Sequence, residues 1–377
     1  MNKKMCLLCS FTMTICLVLT ACWNYWEIED LLVVGGVAID KGEQDQYLIT
    51  VETIQIEGGT DAKVASKSFS MNGKTMFDAV RNEISLTGKR LYWSHAKSVI
   101  ISEELAKEGI IKFLDWFHRD SETRDDIKIF ISKGKSAKEI LLAKKAQNRI
   151  KGLELAEMLT SQDALSKAPD IEIWKVINEI ATSGISAILP VIQLNKDLAQ
   201  NTGTAILKQD KLAGFLNSQE TQTLLFTKDE IKGGILVIEA NESHPPLSME
   251  IFTTNTKTQP LIEKNGIKME INIDTKLGLG EIAGNDIETD EQSLLELKKE
   301  VEELLSKRVE KLISFIQNEY GTDIFGFGAK IHANEPKTWK KVEKNWEEYF
   351  KELNVQVTAN VRIINSGMIA EPLKMGD

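Results

Sequence analysis

Cysteine is nearly absent from this chain: four occur in 377 residues, at positions 6, 9, 16 and 22, and none follows. A body without cysteine has no disulfide, no thiolate metal site and no cysteine nucleophile, so its stability must come from packed cores. Histidine is as scarce, with only His95, His118, His244 and His332, and no two stand at metal-ligand spacing. A basic excess is missing too. The net charge of -10 argues against a nucleic-acid partner, because nothing is available to neutralise phosphates. Only 7 Pro and 24 Gly, with 42% hydrophobic and 27% charged residues, exclude a disordered or low-complexity chain. A mean hydropathy of -0.19 excludes a polytopic membrane protein.

Catalytic signatures are missing as well. There is no G-x-S-x-G elbow and no Walker-A loop. Gly278-Leu279-Gly280-Glu281-Ile282-Ala283 satisfies G-x-G-x-x-A, but Gly284-Asn285-Asp286 stands where a dinucleotide site needs a helix N-terminus. The segment reads as a turn, and Gly326-Phe327-Gly328 as a tight bend near a helix end. Asp125-Asp126 and Glu347-Glu348 are sequence neighbours that cannot flank one bond as glycosidase carboxylates do, and they read as solvated. His95 reads as a structural histidine on a strand. Trp339, Trp346 and Phe350 share one face of a predicted helix, where core packing is preferred to an exposed aromatic patch. The expectation is a protein with no enzymatic activity, no cofactor and no metal.

What is present begins at the N-terminus. Lys3 and Lys4 precede an uncharged run over 5–21, and Asn24, Glu27, Glu29 and Asp30 follow at once. The run falls short of the about 20 residues that a spanning helix takes, and the layout is that of a secretory signal peptide. Its end, Leu19-Thr20-Ala21-Cys22, looks like a bacterial lipobox. Cleavage is expected between Ala21 and Cys22, with the Cys22 thiol joined to diacylglycerol. An acidic body is not drawn to an anionic leaflet, so acyl chains must hold it there, and two or more suffice where one is marginal.

The remainder reads as α+β, multi-domain, with mostly antiparallel sheets and packed helices. A hairpin is predicted over 31–40 and 47–56, a loop over 57–67, and a helix near 74–86. A strand follows over 91–101, a helix over 103–118, a strand over 127–132, a short helix over 137–143 and helical sequence over 150–185. Beyond Pro190 the texture changes. A hairpin is predicted over 203–208 and 211–216, a helix near 218–227 and a strand over 234–239. Strict alternation near 247–251, 267–273 and 355–363 describes antiparallel strands with one buried and one wet face. Between them Leu294, Leu297, Val301, Leu305, Val309, Leu312 and Ile316 draw one apolar stripe along a long amphipathic helix, opened by a capping box at Thr289 and stopped by Gly321. The expected division is a signal peptide over 1–21, an N-terminal α+β domain over 22–195 and a C-terminal region over 196–377, either undivided or split into 196–245 and 246–370.

In this order the chain resembles the Ger(x)C spore germination lipoproteins, the C subunits of nutrient germinant receptors. The resemblance is carried by Cys22-Trp23 with Glu27-Ile28, Asp40-Lys41, Ser94-His95-Ala96-Lys97, Glu103-Glu104-Leu105-Ala106 and Gly109. It continues through Arg119-Asp120 to Arg124, Leu189-Pro190-Val191, Gly203-Thr204-Ala205 to Gly214, and Asp323-Ile324-Phe325-Gly326-Phe327-Gly328 with Trp339, Trp346, Phe350 and Gly367. Trp26 departs from it, standing where Arg is common. The resemblance implies an α+β protein of three compact domains on the outer face of the spore inner membrane, without known catalysis. It also implies assembly with two integral membrane subunits, a transporter-like B subunit and a multi-spanning A subunit. Of site residues it carries over only Cys22. A competing reading from another class is a solute-binding lipoprotein of an ABC transporter. That reading predicts two α/β lobes with parallel sheets, which the alternating strands disfavour.

Overall fold

The computed structural model describes residues 3–5, 7, 10–12, 27–44, 46–58, 63–147, 150–240, 245–264, 266–282 and 291–365. Ala21, Cys22, His244, Thr289, Gly367 and the segment 284–286 lie outside the described residues. Strands β1 (Leu31–Lys41) and β2 (Tyr47–Glu57) form the expected hairpin, paired from Val33–Ile54 to Lys41–Tyr47 with a register shift between Val34 and Gly36. Strand β3 (Lys63–Gly73) then pairs along the whole of β2, although 57–67 reads as a loop. Its Lys and Ser side chains suit an edge strand, which is held by its ladder rather than by an apolar face.

Helix α1 (Met76–Thr87) opens where the Thr75 hydroxyl accepts from the Asp78 N–H and closes at Gly88, whose φ of +70° suits glycine. The single strand expected over 91–101 is two, β4 (Arg90–Tyr92) and β5 (Ser98–Ser102), both parallel to β1. Gly109, at φ +127°, likewise splits the helix expected over 103–118 into α2 (Glu103–Glu108) and α3 (Ile111–Arg119). Strand β6 (Lys128–Ser132), helices α4 (Ala137–Leu141), α5 (Lys151–Thr160) and α6 (Ile173–Ala181), and strand β7 (Ile188–Asn195) follow. Pro190 sits inside β7, beside a register shift against β8 (Leu198–Lys208) that absorbs its missing N–H. Strand β9 (Lys211–Leu216) closes that hairpin, so the first sheet continues past residue 195.

Among the described residues this sheet has nine strands, ordered β3-β2-β1-β5-β6-β7-β8-β9 with β4 beside β1. Both flanks are antiparallel, while β1, β5, β6 and β7 run parallel at the centre. Every residue of β5 is buried, as is usual for a parallel strand covered by helices on both faces.

The second sheet orders β10 (Ile235–Ile238), β11 (Leu247–Glu263), β12 (Gly266–Ile282) and β13 (Asn354–Asn365), after helix α7 (Ser218–Lys228). Alternation holds along most of it, broken at the register shifts of β11 against β12. Met269, Ile271, Ile273 and Leu277 are buried, whereas Asp274 and Lys276 are exposed. The expected direction fails at one pair only: β12 and β13 are parallel. Alternation reports which face is wet, and the crossover through helix α8 (Glu291–Glu319) sets the direction.

Leu297, Val301, Leu305, Val309, Leu312, Ile313 and Ile316 of α8 are buried, each contributing about 1.5–3 kcal/mol, while Leu294 is half-buried. Gly321, at φ +58°, stops the helix by donating to the Ile316 carbonyl. Helices α9 (Phe327–Asn334), α10 (Pro336–Val342) and α11 (Trp346–Lys351) complete a molecule that is α+β, with two mostly antiparallel sheets and packed helices. One apolar core runs continuously from β1 through α8 to β13, and a smaller one lies between α4, α5 and the other face of the first sheet.

Candidate interaction surface

The reactive side chains stand apart. His95 lies in the turn between β4 and β5 and is exposed, its ring 5.8 Å from Tyr92, so the expectation of a structural histidine on a strand is corrected: the turn breaks the strand there. His118 lies in the last turn of α3, and exposed His332 stacks on Trp339 at 5.7 Å. Among the described residues no three His, Cys, Asp or Glu side chains converge to hold a metal. Gly278, Gly280 and Ile282 belong to β12, where Gly278 and Ile282 pair with β11 and Gly280 falls at a register shift between them, which makes this segment a strand rather than the expected turn.

Of the acidic neighbours, Asp126, Glu347 and Glu348 are ion-paired. Asp126 meets Arg124 at 2.8 Å and Lys97 at 3.2 Å, and the bond from Arg124 holds its carboxyl down to about 2. Glu347 meets Lys208 at 2.9 Å, and Glu348 meets Lys351 at 2.7 Å.

The densest constellation forms where the first sheet meets the C-terminal helices. Asp323 follows the end of α8 and is buried. Its Oδ1 accepts the N–H groups of Phe325 (3.1 Å) and Gly326 (2.9 Å), and its Oδ2 accepts those of Gly328 (2.8 Å) and the Trp346 indole (3.3 Å). Burial outweighs these four donors and pushes the carboxyl up to about 6. Gly326, at φ +75°, turns the chain into α9, as the bend read at Gly326-Phe327-Gly328 requires.

Across the seam the Ala329 N–H donates to the Gly184 carbonyl (2.9 Å) and the Ser186 N–H to the Asp323 carbonyl (2.7 Å), with the Ser186 and Thr322 hydroxyls 2.6 Å apart. Trp339 and Trp346 meet edge to face at 5.3 Å, and Phe325, Phe327 and Phe350 pack behind them. All five are buried, as core packing predicts, but the two tryptophans sit on separate short helices, α10 and α11.

Among the described residues several grooves open on the surface, three of them beside the features above or at the ends of the first sheet. One, about 780 Å³, runs along this seam between Ile180, Ile185, Asp210, Glu343 and Trp346. A second, about 570 Å³, lies at the ends of β1 and β5 among paired charges such as Lys41–Glu108 and Lys107–Glu103. The third, about 430 Å³, lies between α1 and α3, where Lys112 sits 4.7 Å above the Tyr47 ring and 5.1 Å above Phe113. The walls of these grooves combine apolar and charged side chains.

The predicted site residues Ala21 and Cys22 lie outside the described residues, and the described chain reaches the fold at the 3-10 turn Ile28–Asp30. The sequence shows Asp323 to Gly328 as one stretch and groups Trp339, Trp346 and Phe350 on one predicted helix face. Their convergence on Gly184 was missed, since nothing local in the sequence pairs segments so far apart.

Comparison with known proteins accounts for both halves of the chain. Residues 24–194 match the spore germination protein N-terminal domain, and residues 202–367 match the spore germination B3/GerAC-like C-terminal domain. The chain is 27% identical over 364 residues to spore germination protein B3 of Bacillus subtilis, covering 94% of this chain and 96% of that one. It is 23% identical over 403 residues to spore germination protein KC of the same organism, covering 98% of each. The crystal structure of the GerBC protein superposes with a TM-score of 0.59 at 25% identity, covering 88% of this chain and 97% of that one.

Proposed function

The chain belongs to the GerAC family of spore germination proteins, and from that membership we propose that it is the lipid-anchored C subunit of a nutrient germinant receptor. The observation that carries this reading is that both family domains match in order, and that similarity to B3 and KC runs nearly end to end. On this reading residues 1–21 direct export, cleavage follows Ala21, and acyl chains on Cys22 hold the protein to the outer face of the spore inner membrane. The domain over 22–195 and the region over 196–377 act together as a non-catalytic assembly or signalling subunit, with a transporter-like B and a multi-spanning A subunit as partners.

The solute-binding alternative needs two lobes with parallel sheets. The first sheet has a parallel centre, but β10, β11 and β12 of the second pair antiparallel, which disfavours it.

Affinity purification of the tagged chain from detergent-solubilised dormant-spore membranes, with mass spectrometry, tests the proposal. Two multi-spanning subunits are expected, one of them transporter-like. Recovery of an ABC permease instead would move the weight to solute capture. Separately, Cys22→Ala should release the protein from membranes and impair nutrient germination; normal germination with released protein would refute an essential tether.

A further inference from the structure

Among the described residues beyond position 27, the four most exposed large apolar side chains are Ile28 (83%), Ile56 (75%), Val64 (63%) and Leu86 (63%). All four stand at one end of the first sheet. Ile28 lies in the turn that leads into β1 at Leu31. Strand β2 runs antiparallel to β1 and returns to that end, where Ile56 pairs directly with Val64 near the start of β3. Helix α1 ends at Thr87 and delivers the chain to Arg90, which sits opposite Leu31, so Leu86 belongs there too. Ile56 shares its face with Glu52, which accepts the Gly152 N–H of α5, whereas Met76 and Ala79 of α1 pack with Ile49 and Val51 on the other face. Exposed aliphatics therefore surround this tip on both sides of the sheet.

Isolated exposed apolar residues are ordinary, but a set gathered at one end marks a contact surface. Its occupant follows from where the chain enters. Only residues 23–27 separate Cys22 from Ile28, a fully extended reach of about 20 Å. The opposite end, at the β1–β2 turn, lies the length of an 11-residue strand away, about 35 Å. Charges of both signs frame this end: Lys63, Lys67 and Lys89 stand near exposed Glu27, Glu29 and Asp30 of the entering turn, and Arg90 pairs with Glu122 at 2.6 Å, so the exposed aliphatics and the short reach from Cys22 are what suit the tip to the interface.

We infer that this tip rests on the lipid bilayer beside the acyl chains, with Ile56, Val64 and Leu86 dipping into the interface as a second hold that fixes the orientation of the body. The inference rests on the Cys22 anchor proposed above.

The test uses the acylated full-length mature chain in vesicles of phosphatidylglycerol and phosphatidylethanolamine. The mature chain has no cysteine but Cys22, so single cysteines at I56C, V64C, L86C and, as the far-end reference, E43C accept an environment-sensitive thiol label. Flotation of each labelled chain with the vesicles is read first. The expected result is blue-shifted emission and several-fold protection from an aqueous quencher at 56, 64 and 86, with E43C remaining in water. A chain that floats with all four labels equally quenched overturns the inference and leaves the anchor standing. A chain that does not float overturns the anchor, and the inference with it. Three independent positions keep the test decisive where one variant fails to fold.

Discussion

A buried carboxylate usually meets a cation, yet Asp323 is held by three backbone N–H groups and one indole N–H. Truncation to alanine would leave all four donors facing nothing, and unmet buried donors cost about 1–3 kcal/mol each before relaxation. D323A is therefore expected to lose at least about 3 kcal/mol, read by urea unfolding. The pH dependence has a definite sign. With its carboxyl pushed up to about 6 from an ordinary 3.8, Asp323 binds its proton more tightly in the folded state. The stability it brings is complete below pH 3.8 and is lost as pH rises through 6. Wild type should show this falling slope between those values and D323A should lack it; equal slopes would reassign the effect to other groups. Lys151 is the opposite case. Its wholly buried ammonium reaches Glu154 at 2.6 Å and the Lys144 carbonyl at 2.9 Å. Glu154→Ala would strand that charge and should cost about 3–5 kcal/mol, whereas removing both partners by K151M/E154L should cost much less. A double-mutant cycle in thermal unfolding reads the coupling.

Helix α8 shows how one element serves a sheet twice. Its apolar stripe covers the buried faces of the strands, and its polar flank reaches the edge: Ser306 Oγ accepts the Ala359 N–H at 3.2 Å, and Glu302 Oε1 accepts the Val361 N–H at 2.9 Å. Strand β13 is the last strand of its sheet, and these bonds occupy groups that would otherwise recruit another chain. E302A/S306A should cost about 1–3 kcal/mol and raise concentration-dependent association, seen by light scattering; a monomer at high concentration would show the edge to be harmless. The stripe itself was legible in the sequence, because a three-to-four step has no other cause on this scale. The wet and dry faces of β11, β12 and β13 were legible for the same kind of reason. What stayed hidden was non-local. Strand β3 has polar edge chemistry that also describes a loop, and the parallel pairing of β12 with β13 is set by a crossover that strand patterning does not encode. The Asp323 cradle and the seam beside it need Asp323, Trp346 and Gly184 brought together from three places. The proposed anchor at Cys22 is legible as a motif, since a lipobox is a local sequence signal that needs no fold.

At the scale of the whole molecule, the question is whether the two family domains behave as one body. The continuous core and the hairpin β8–β9, which completes the first sheet, argue that they unfold together. Gly184 is the position that tests this. Its φ of +82° disfavours any side chain, and an added Cβ would stand 2.6 Å from the Gly328 carbonyl carbon and 2.8 Å from the Ala329 nitrogen, both backbone atoms with little freedom to move. Gly184→Ala should therefore strain the backbone and part the seam at once, breaking the Ala329–Gly184 bond while leaving each sheet's own ladder intact. Differential scanning calorimetry of the wild type is expected to show a single transition whose calorimetric and van't Hoff enthalpies agree. In G184A the midpoint should fall and the transition should broaden or divide as the C-terminal helices uncouple from the first sheet. A divided transition in the wild type would show that the seam contributes little. Under the signalling role proposed above, a divided transition would place a hinge on the signal's path, whereas a single transition fits a body in which the tip near Ile28 and the C-terminal helices move together.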